Sequence, residues 1–280
     1  MFSLDNMSFD SYYGFCSIFI TIVRWVRNRR EPESLRKAGT TLRPGGNEEV
    51  GMKALVTGAT GFIGSVLTKE LVGQRHRVRA LVLPGGTTTA LEKLGVEVLT
   101  GDLLKRESIT GVCDGIDTVF HLAGRVTDWG TREQFYSAIY DATMNLLQAA
   151  AGRAPRFVYI SSIAAIGFGR HMKGIRETDP AFKSGIPYND AKLDTEKLVK
   201  SYHDGGRIAC TVIRPANVTG PGSVWVRDIV EKMISMPLPL IDGGRYSSSF
   251  VYVDNLVDGI ILAGTLDIAK GKTYHLPDDW

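Results

Sequence analysis

Hydrophobic and polar positions along most of this chain switch between the period of a strand and the period of a helix. Lys53–Thr57 is a short apolar run that stops at a glycine turn, and Phe62, Ile63, Val66, Leu67 and Leu71 follow at helical spacing. Further strands are predicted at Arg77–Leu83, Val96–Thr100, Thr118–His121, Arg156–Ser161 and Ala209–Arg214. A long helical period covers Arg132–Ala151, ended by Gly152 and Pro155, and another covers Tyr188–Tyr202, stopped by Gly205 and Gly206. This alternation predicts an α/β fold, a doubly wound parallel sheet with right-handed crossovers and helices on both faces. Such sheets bind ligands beyond the carboxyl ends of their strands, where the strand order reverses. The residues just after each strand are therefore the candidates for chemistry.

The first of these ends is the most informative. Gly58, Gly61 and Gly64 punctuate the passage from strand to helix. A helix N-terminus offers unpaired N–H groups and the positive end of its dipole, a ready site for a pyrophosphate. Gly58 permits the tight turn, Gly61 the close approach of phosphate to backbone, and Gly64 the packing of helix on strand. The spacing is G-x-x-G-x-x-G rather than the G-x-G-x-x-G of the general dinucleotide fingerprint. After the second strand comes Leu83-Pro84-Gly85-Gly86, with no carboxylate for an adenosine ribose. Arg79 lies within that strand, and Arg75 and Arg77 just before it, so NAD and NADP both remain open.

Residues 1–51 break the pattern. An apolar and aromatic run over Tyr12–Val26 is followed by Arg27, Arg29 and Arg30 and then by an aperiodic stretch. The run falls short of the ~20 residues that a spanning helix needs, and Asp5 and Asp10 precede it where a secretory signal would be basic. The expectation is a disordered leader before Met52, with weak membrane-interface contact through 12–30 as the alternative. Composition adds exclusions. Of 280 residues 44% are hydrophobic and the net charge is +3, too small to argue for nucleic acid. Cys16, Cys113 and Cys210 are odd in number and far apart, which suits a reducing, cytoplasmic setting, or the cytoplasmic face of a membrane. No metal-ligand spacing occurs among the cysteines and five histidines, so no metal is expected.

Tyr188 and Lys192 stand four residues apart on one face of the predicted second long helix. An ammonium beside a phenol favours the phenolate, which would let Tyr188 exchange a proton well below ~10. Ser161 and Ser162 end the strand at Arg156–Ser161, on the side of the sheet where the glycine turn lies.

With these elements the sequence resembles the extended, epimerase/dehydratase-like branch of the short-chain dehydrogenase/reductase superfamily, over about Met52 to Trp280. The resemblance rests on Thr57–Gly64 (TGATGFIG), Gly101-Asp102-Leu103, His121-Leu122-Ala123-Gly124, Tyr159–Ser162, Tyr188-x-x-x-Lys192, Arg214–Gly222 and Phe250–Asn255. The TGATGFIG turn is that branch's own form, which accounts for the glycine spacing. The resemblance implies a Rossmann domain over 52–280 that binds NAD or NADP. It implies cofactor contacts from Gly58, Thr60, Gly61, Phe62, Ile63, Gly64, Asp102 (at the adenine), Leu103, Ala123, Gly124, Tyr188, Lys192, Pro215 (at the nicotinamide) and Asn217. It implies that Tyr188 is the general acid/base, that Lys192 lowers its pKa and holds the nicotinamide ribose, and that Ser162 hydrogen-bonds the reacting oxygen. It also implies a homodimer and a small-molecule substrate.

Val126–Gly130 after the fourth strand is similar to the 3β-hydroxysteroid dehydrogenase and dihydroflavonol-reductase-like group, which implies a secondary alcohol or ketone on a bulky apolar substrate. The alternatives are a nucleotide-sugar epimerase or dehydratase, for which Arg227 and Arg245 are the candidates at a diphosphate, and a cofactor-sensing protein without turnover. Ile139 departs from the family pattern, which has Asn there in a proton relay. Substrate-cap segments are expected near 167–186, 220–246 and 265–280, with a cap cut short at the C-terminus.

Overall fold

The computed structural model describes residues 51–127, 129–167, 173–235, 243, 245 and 248–278. The leader, including the 12–30 segment, lies outside the described residues, as do parts of the first two expected cap segments. The chain divides into two compact units, Val50–Glu231 with Ser249–Trp280, and Met1–Glu49 with Lys232–Ser248. The first carries the site.

In that unit seven strands form one parallel sheet: β1 (Lys53–Thr57), β2 (Arg77–Val82), β3 (Glu97–Thr100), β4 (Thr118–His121), β5 (Arg156–Ile160), β6 (Ala209–Pro215) and β9 (Thr273–Leu276). Their order is β3-β2-β1-β4-β5-β6-β9. The direction of winding reverses between β1 and β4, whose register pairs Thr57 with His121. The doubly wound sheet expected from the sequence is the fold. Two short parallel strands, β7 (Asn217–Thr219) and β8 (Phe250–Tyr252), pair separately.

The inner strands β1, β2, β4, β5 and β6 form because nearly every residue in them is buried, as a sheet covered on both faces demands. Ala54, Leu55 and Val56 are all 0% exposed, yet they serve two cores. Ala54 and Val56 face one layer with Leu67, Val158 and Ile260, while Leu55 faces the other with Leu146, Phe157 and Val212. Alternation along a strand sends neighbours to opposite faces. Helix α1 (Phe62–Gly73) packs Leu67 and Leu71 on the first layer.

The helical period over Arg132–Ala151 is not one regular helix. It comprises α3 (Arg132–Tyr136), a π turn (Ser137–Asp141) and α4 (Ala142–Ala150), preceded by the short α2 (Thr89–Lys93) earlier in the chain. Thr131 and Gln134 form a capping box that fixes its start. Helix α5 (Pro187–Asp204) follows β5, α6 (Val224–Ser235) follows β7, and α7 (Val253–Thr265) follows β8.

Within the third expected cap segment, near 265–280, Thr273–Leu276 is the seventh parallel strand, with Val212 opposite Thr273 and Pro215 opposite Leu276. Asp278 then caps β8, accepting from the Tyr252 N–H at 2.8 Å and the Asn255 amide at 2.9 Å. The sequence pattern TYHL is too short to show whether it is strand or cap.

Candidate functional site

At the end of β1 the chain turns on Gly58, with φ +73°, a conformation that costs a side-chain-bearing residue. A Cβ on Gly58 would sit 2.9 Å from the Ala123 amide nitrogen, and one on Gly64 only 2.0 Å from the Gly58 carbonyl oxygen. The turn thus packs against the end of β4 on one side and beneath α1 on the other. Gly61 is the N-cap of α1, brings no side chain to that cap, and no acidic residue occupies the first turn. The first N–H groups of α1 remain for a ligand, so this cradle fits a pyrophosphate. Thr60 and Gly61 are exposed at the turn, and Phe62 and Ile63 are half-buried.

The end of β4 is tied to this turn by a buried polar chain. The Ala123 N–H donates to the Thr57 hydroxyl at 3.2 Å, and that hydroxyl meets His121 Nδ1 at 2.7 Å. On the far side His121 Nε2 meets the Thr143 hydroxyl at 2.9 Å, and Thr143 donates to the Ile139 carbonyl at 2.5 Å. A hydroxyl has one proton, and Thr143 gives it to Ile139, so it accepts from Nε2–H. His121 Nδ1 then accepts from Thr57. The ring is fully buried, and burial pushes its pKa down to about 3, with the Lys192 charge acting the same way. His121 is therefore a neutral imidazole that links the glycine turn to the π turn.

The π turn places Ile139 beneath the end of α5. Its side chain is 1% exposed and packs with Phe135 and Ala191, with Tyr188 against the same cluster. Gly124 approaches it closely, since a Cβ there would lie 3.8 Å from Ile139 Cγ1. Phe135 meets the Tyr188 ring edge-on, centroids 6.1 Å apart. The floor under Tyr188 is thus apolar, while a polar path runs through the Ile139 backbone carbonyl, Thr143 and His121. Single π turns of this kind are frequent at functional sites.

Helix α5 brings Tyr188 and Lys192 to the end of β5. Burial, the larger cause, pushes the Tyr188 pKa up, and the neighbouring Ser162 pulls it down. In this structure the Lys192 ammonium is turned toward the backbone of β5. Lys192 Nζ donates to the Ile160 carbonyl at 2.8 Å and lies 4.9 Å from the Tyr159 ring centroid. Burial lowers its own pKa to about 8, opposed by Glu196. The structure brings Ser162, Tyr188 and Lys192 together, and it brings Ala123 and Gly124 to the glycine turn.

Other expected residues sit at the same edge of the sheet with local duties. Asp102 follows β3, and its carboxylate accepts from the Leu104 N–H at 2.9 Å. Leu103 is buried in the second core layer. Pro215 ends β6, and Asn217 opens β7, where its amide donates to the Ser249 carbonyl at 2.9 Å. Trp129 is 85% exposed, whereas Phe135 is 3% exposed and belongs to the floor. Arg227 pairs on its own helix with Asp228 and Glu231, at 3.5 and 3.7 Å. No His, Cys, Asp or Glu group among the described residues could hold a metal ion.

Thr57, His121, Thr143 and Glu196 were missed as site residues by sequence reasoning. The signal for Glu196 was present, four residues beyond Lys192 on the same helix face. Nothing in sequence alone pairs Thr143 with His121.

Against known proteins, residues 54–276 match the model of a family described as the NAD dependent epimerase/dehydratase family. A 4-hydroxy-2-methyl-3-oxo-4-farnesyl-3,4-dihydroquinoline-1-oxide ketoreductase from Stigmatella aurantiaca is 29% identical, over 81% of this chain and 68% of its own. A 3 beta-hydroxysteroid dehydrogenase/Delta 5→4-isomerase from Mycobacterium tuberculosis is 30% identical over 81% of this chain and 65% of its own. The chain thus spans about two thirds of the length of these curated relatives. Among solved structures, an epimerase from Methanothermobacter thermautotrophicus superposes with a TM-score of 0.71 at 26% identity, over 81% of this chain and 72% of that one.

Proposed function

The chain belongs to the NAD dependent epimerase/dehydratase family, and we propose that it is an NAD(P)-dependent oxidoreductase that interconverts a secondary alcohol and a ketone on a bulky, apolar substrate. One observation carries the reading. The Tyr188 phenol, beside Ser162, stands at the end of β5 with Lys192 one turn behind it. It is tied through α5, the π turn and His121 to the glycine cradle.

In this reading the cradle of Gly58, Thr60, Gly61, Phe62, Ile63 and Gly64 holds the pyrophosphate, with Asp102, Leu103, Ala123, Gly124, Pro215 and Asn217 along the rest of the cofactor. A nicotinamide held there would supply or accept the hydride. Tyr188 gives a proton to the carbonyl oxygen during reduction and takes one from the hydroxyl during oxidation. Ser162 orients that oxygen. Lys192, as an ammonium, favours the phenolate once a ligand draws its head from the Ile160 carbonyl. The apolar substrate class is supported by the printed activities of the relatives, a farnesylated quinoline ketoreductase and a steroid dehydrogenase. The exposed Trp129 and Val126, at 85% and 75%, offer apolar surface beyond β4.

Cys113 and Cys210 are free and buried, which suits the reducing cytoplasm that we propose as its location. Among the described residues no helix is long and apolar enough to cross a membrane. The nucleotide-sugar reading loses support from Arg227, whose charge is engaged on its own helix. The test is absorbance at 340 nm across sterol and aryl alcohols and ketones with NAD(H) and NADP(H). Turnover of an apolar alcohol supports the proposal, and turnover of nucleotide sugars alone refutes it.

A further inference from the structure

Helix α5 carries a third group on the face of Tyr188 and Lys192. Glu196 lies four residues beyond Lys192, its residue 7% exposed, and the neighbouring strands converge on it. From the end of β5 the Ser161 hydroxyl donates to Oε1 at 2.5 Å. From the end of β6 Arg214 donates through Nε to Oε1 at 2.9 Å and through Nη2 to Oε2 at 2.6 Å. Arg214 and Ser161 are themselves buried, at 6% and 5% exposure. Arg214 Nη1 continues to His275 Nε2 on β9 at 3.1 Å, and the His275 N–H donates to Glu177 at 2.9 Å. Two adjacent strand ends thus clamp one carboxylate on α5, with β9 bracing the second of them through His275.

A buried ion pair is a poor source of stability, because desolvating both ions consumes most of the attraction. Plain packing would have held α5 as firmly. What an ion pair offers that packing does not is a fixed position and a charge. One turn back, Lys192 points its ammonium at the Ile160 carbonyl of β5, the strand whose end also supplies Ser161 and Ser162. The other ionisable groups around Lys192 give it no anion. Tyr159 on β5 and Tyr188 on α5 are phenols, and His121 on β4 is a neutral imidazole. Arg214 and His275 face Glu196 from its other side.

We propose that Glu196 is a positioning residue for the proton-transfer pair. Clamped by Ser161 and Arg214, it fixes the register of the Tyr188–Lys192 face against the end of β5 and is the anion that keeps Lys192 an ammonium. The proposal rests on the oxidoreductase reading for its consequence in turnover, but its test does not.

The experiment follows the Lys192 side chain directly, by NMR titration of the full chain labelled with carbon-13 at lysine, the signal being assigned by its loss in Lys192→Met. In Glu196→Gln the Lys192 titration should fall by about one unit or more relative to the parent, as expected for loss of a nearby opposite charge. In Ser161→Ala, which keeps both charges, it should stay within a few tenths of the parent. Should Glu196→Gln fail to fold with Arg214 left unpaired, the double variant Glu196→Gln/Arg214→Lys, which keeps a cation at position 214, carries the test, with the same downward shift expected. An unchanged Lys192 titration in the folded Gln variant overturns the proposal. Failure of the oxidoreductase reading would show separately, as a parent chain that turns over no apolar alcohol or ketone with NAD(H) or NADP(H).

Discussion

His121 makes a prediction whose size follows from its surroundings. The ring is completely buried, neutral, and hydrogen-bonded at both nitrogens, with its pKa near 3 against an ordinary 6.5. Between those values the unfolded chain binds a proton that the folded chain refuses. The free energy of unfolding therefore rises with pH through this window. The contribution is complete above pH 6.5 and is lost as pH falls toward 3. At pH 4.5 the unfolded residue lies two units below its pKa while the folded one is still neutral. That difference amounts to about 3 kcal/mol, at 1.36 kcal/mol per unit. His121→Gln keeps a donor and an acceptor between the two threonines but cannot titrate. Urea unfolding of parent and variant at pH 7.5, 6 and 4.5 isolates the residue, because every carboxylate effect is common to both. The parent should lose about 3 kcal/mol more than the variant between pH 7.5 and 4.5. Equal losses would refute the neutral, fully buried imidazole and with it the directed hydrogen-bond chain.

Other consequences are more local. Gly64→Ala forces a methyl to within 2.0 Å of the Gly58 carbonyl; calorimetric titration should show the affinity for NAD(H) falling at least tenfold, with circular dichroism reporting a retained sheet. Ile139→Asn places an amide in the apolar floor under Tyr188, so urea unfolding should show a loss of about 2–4 kcal/mol, combining an unsatisfied amide with lost apolar burial. Lys192, lowered to about 8, is deprotonated in the folded chain before the unfolded one. Stability should therefore rise with pH from about 8 toward 10.5, and Lys192→Met should abolish that rise in denaturant titrations.

The α/β plan and the candidate site were readable to different depths. Strand positions came through well, because a doubly covered strand such as Ala54–Val56 must be continuously apolar. The glycine turn was equally legible, since Gly58 and Gly64 answer to steric demands written into their spacing. Tyr188 and Lys192 were found because helical periodicity alone puts them on one face. The π turn was not, because one extra residue in a helix leaves the hydrophobic period almost unchanged. Ile139 therefore read as a departure with no visible replacement. Its backbone carbonyl is joined to Thr143 and His121, a contact between a helix and a strand end 22 residues apart. β9 was missed for a related reason: its four half-buried residues carry no clear alternation, and their strand character comes from pairing with β6. The Lys192 ammonium was expected beside the phenol, yet the buried Ile160 carbonyl is the acceptor it finds in this structure.

The central claim is that Tyr188 moves the proton while the glycine cradle holds the cofactor. Its most direct test is Tyr188→Phe, which removes one oxygen from a ring already held edge-on by Phe135. Calorimetric affinity for NAD(H) or NADP(H) should stay within about threefold of the parent, while kcat with an apolar alcohol falls by a factor on the order of 10²–10⁴. Turnover unchanged in Tyr188→Phe would contradict the account.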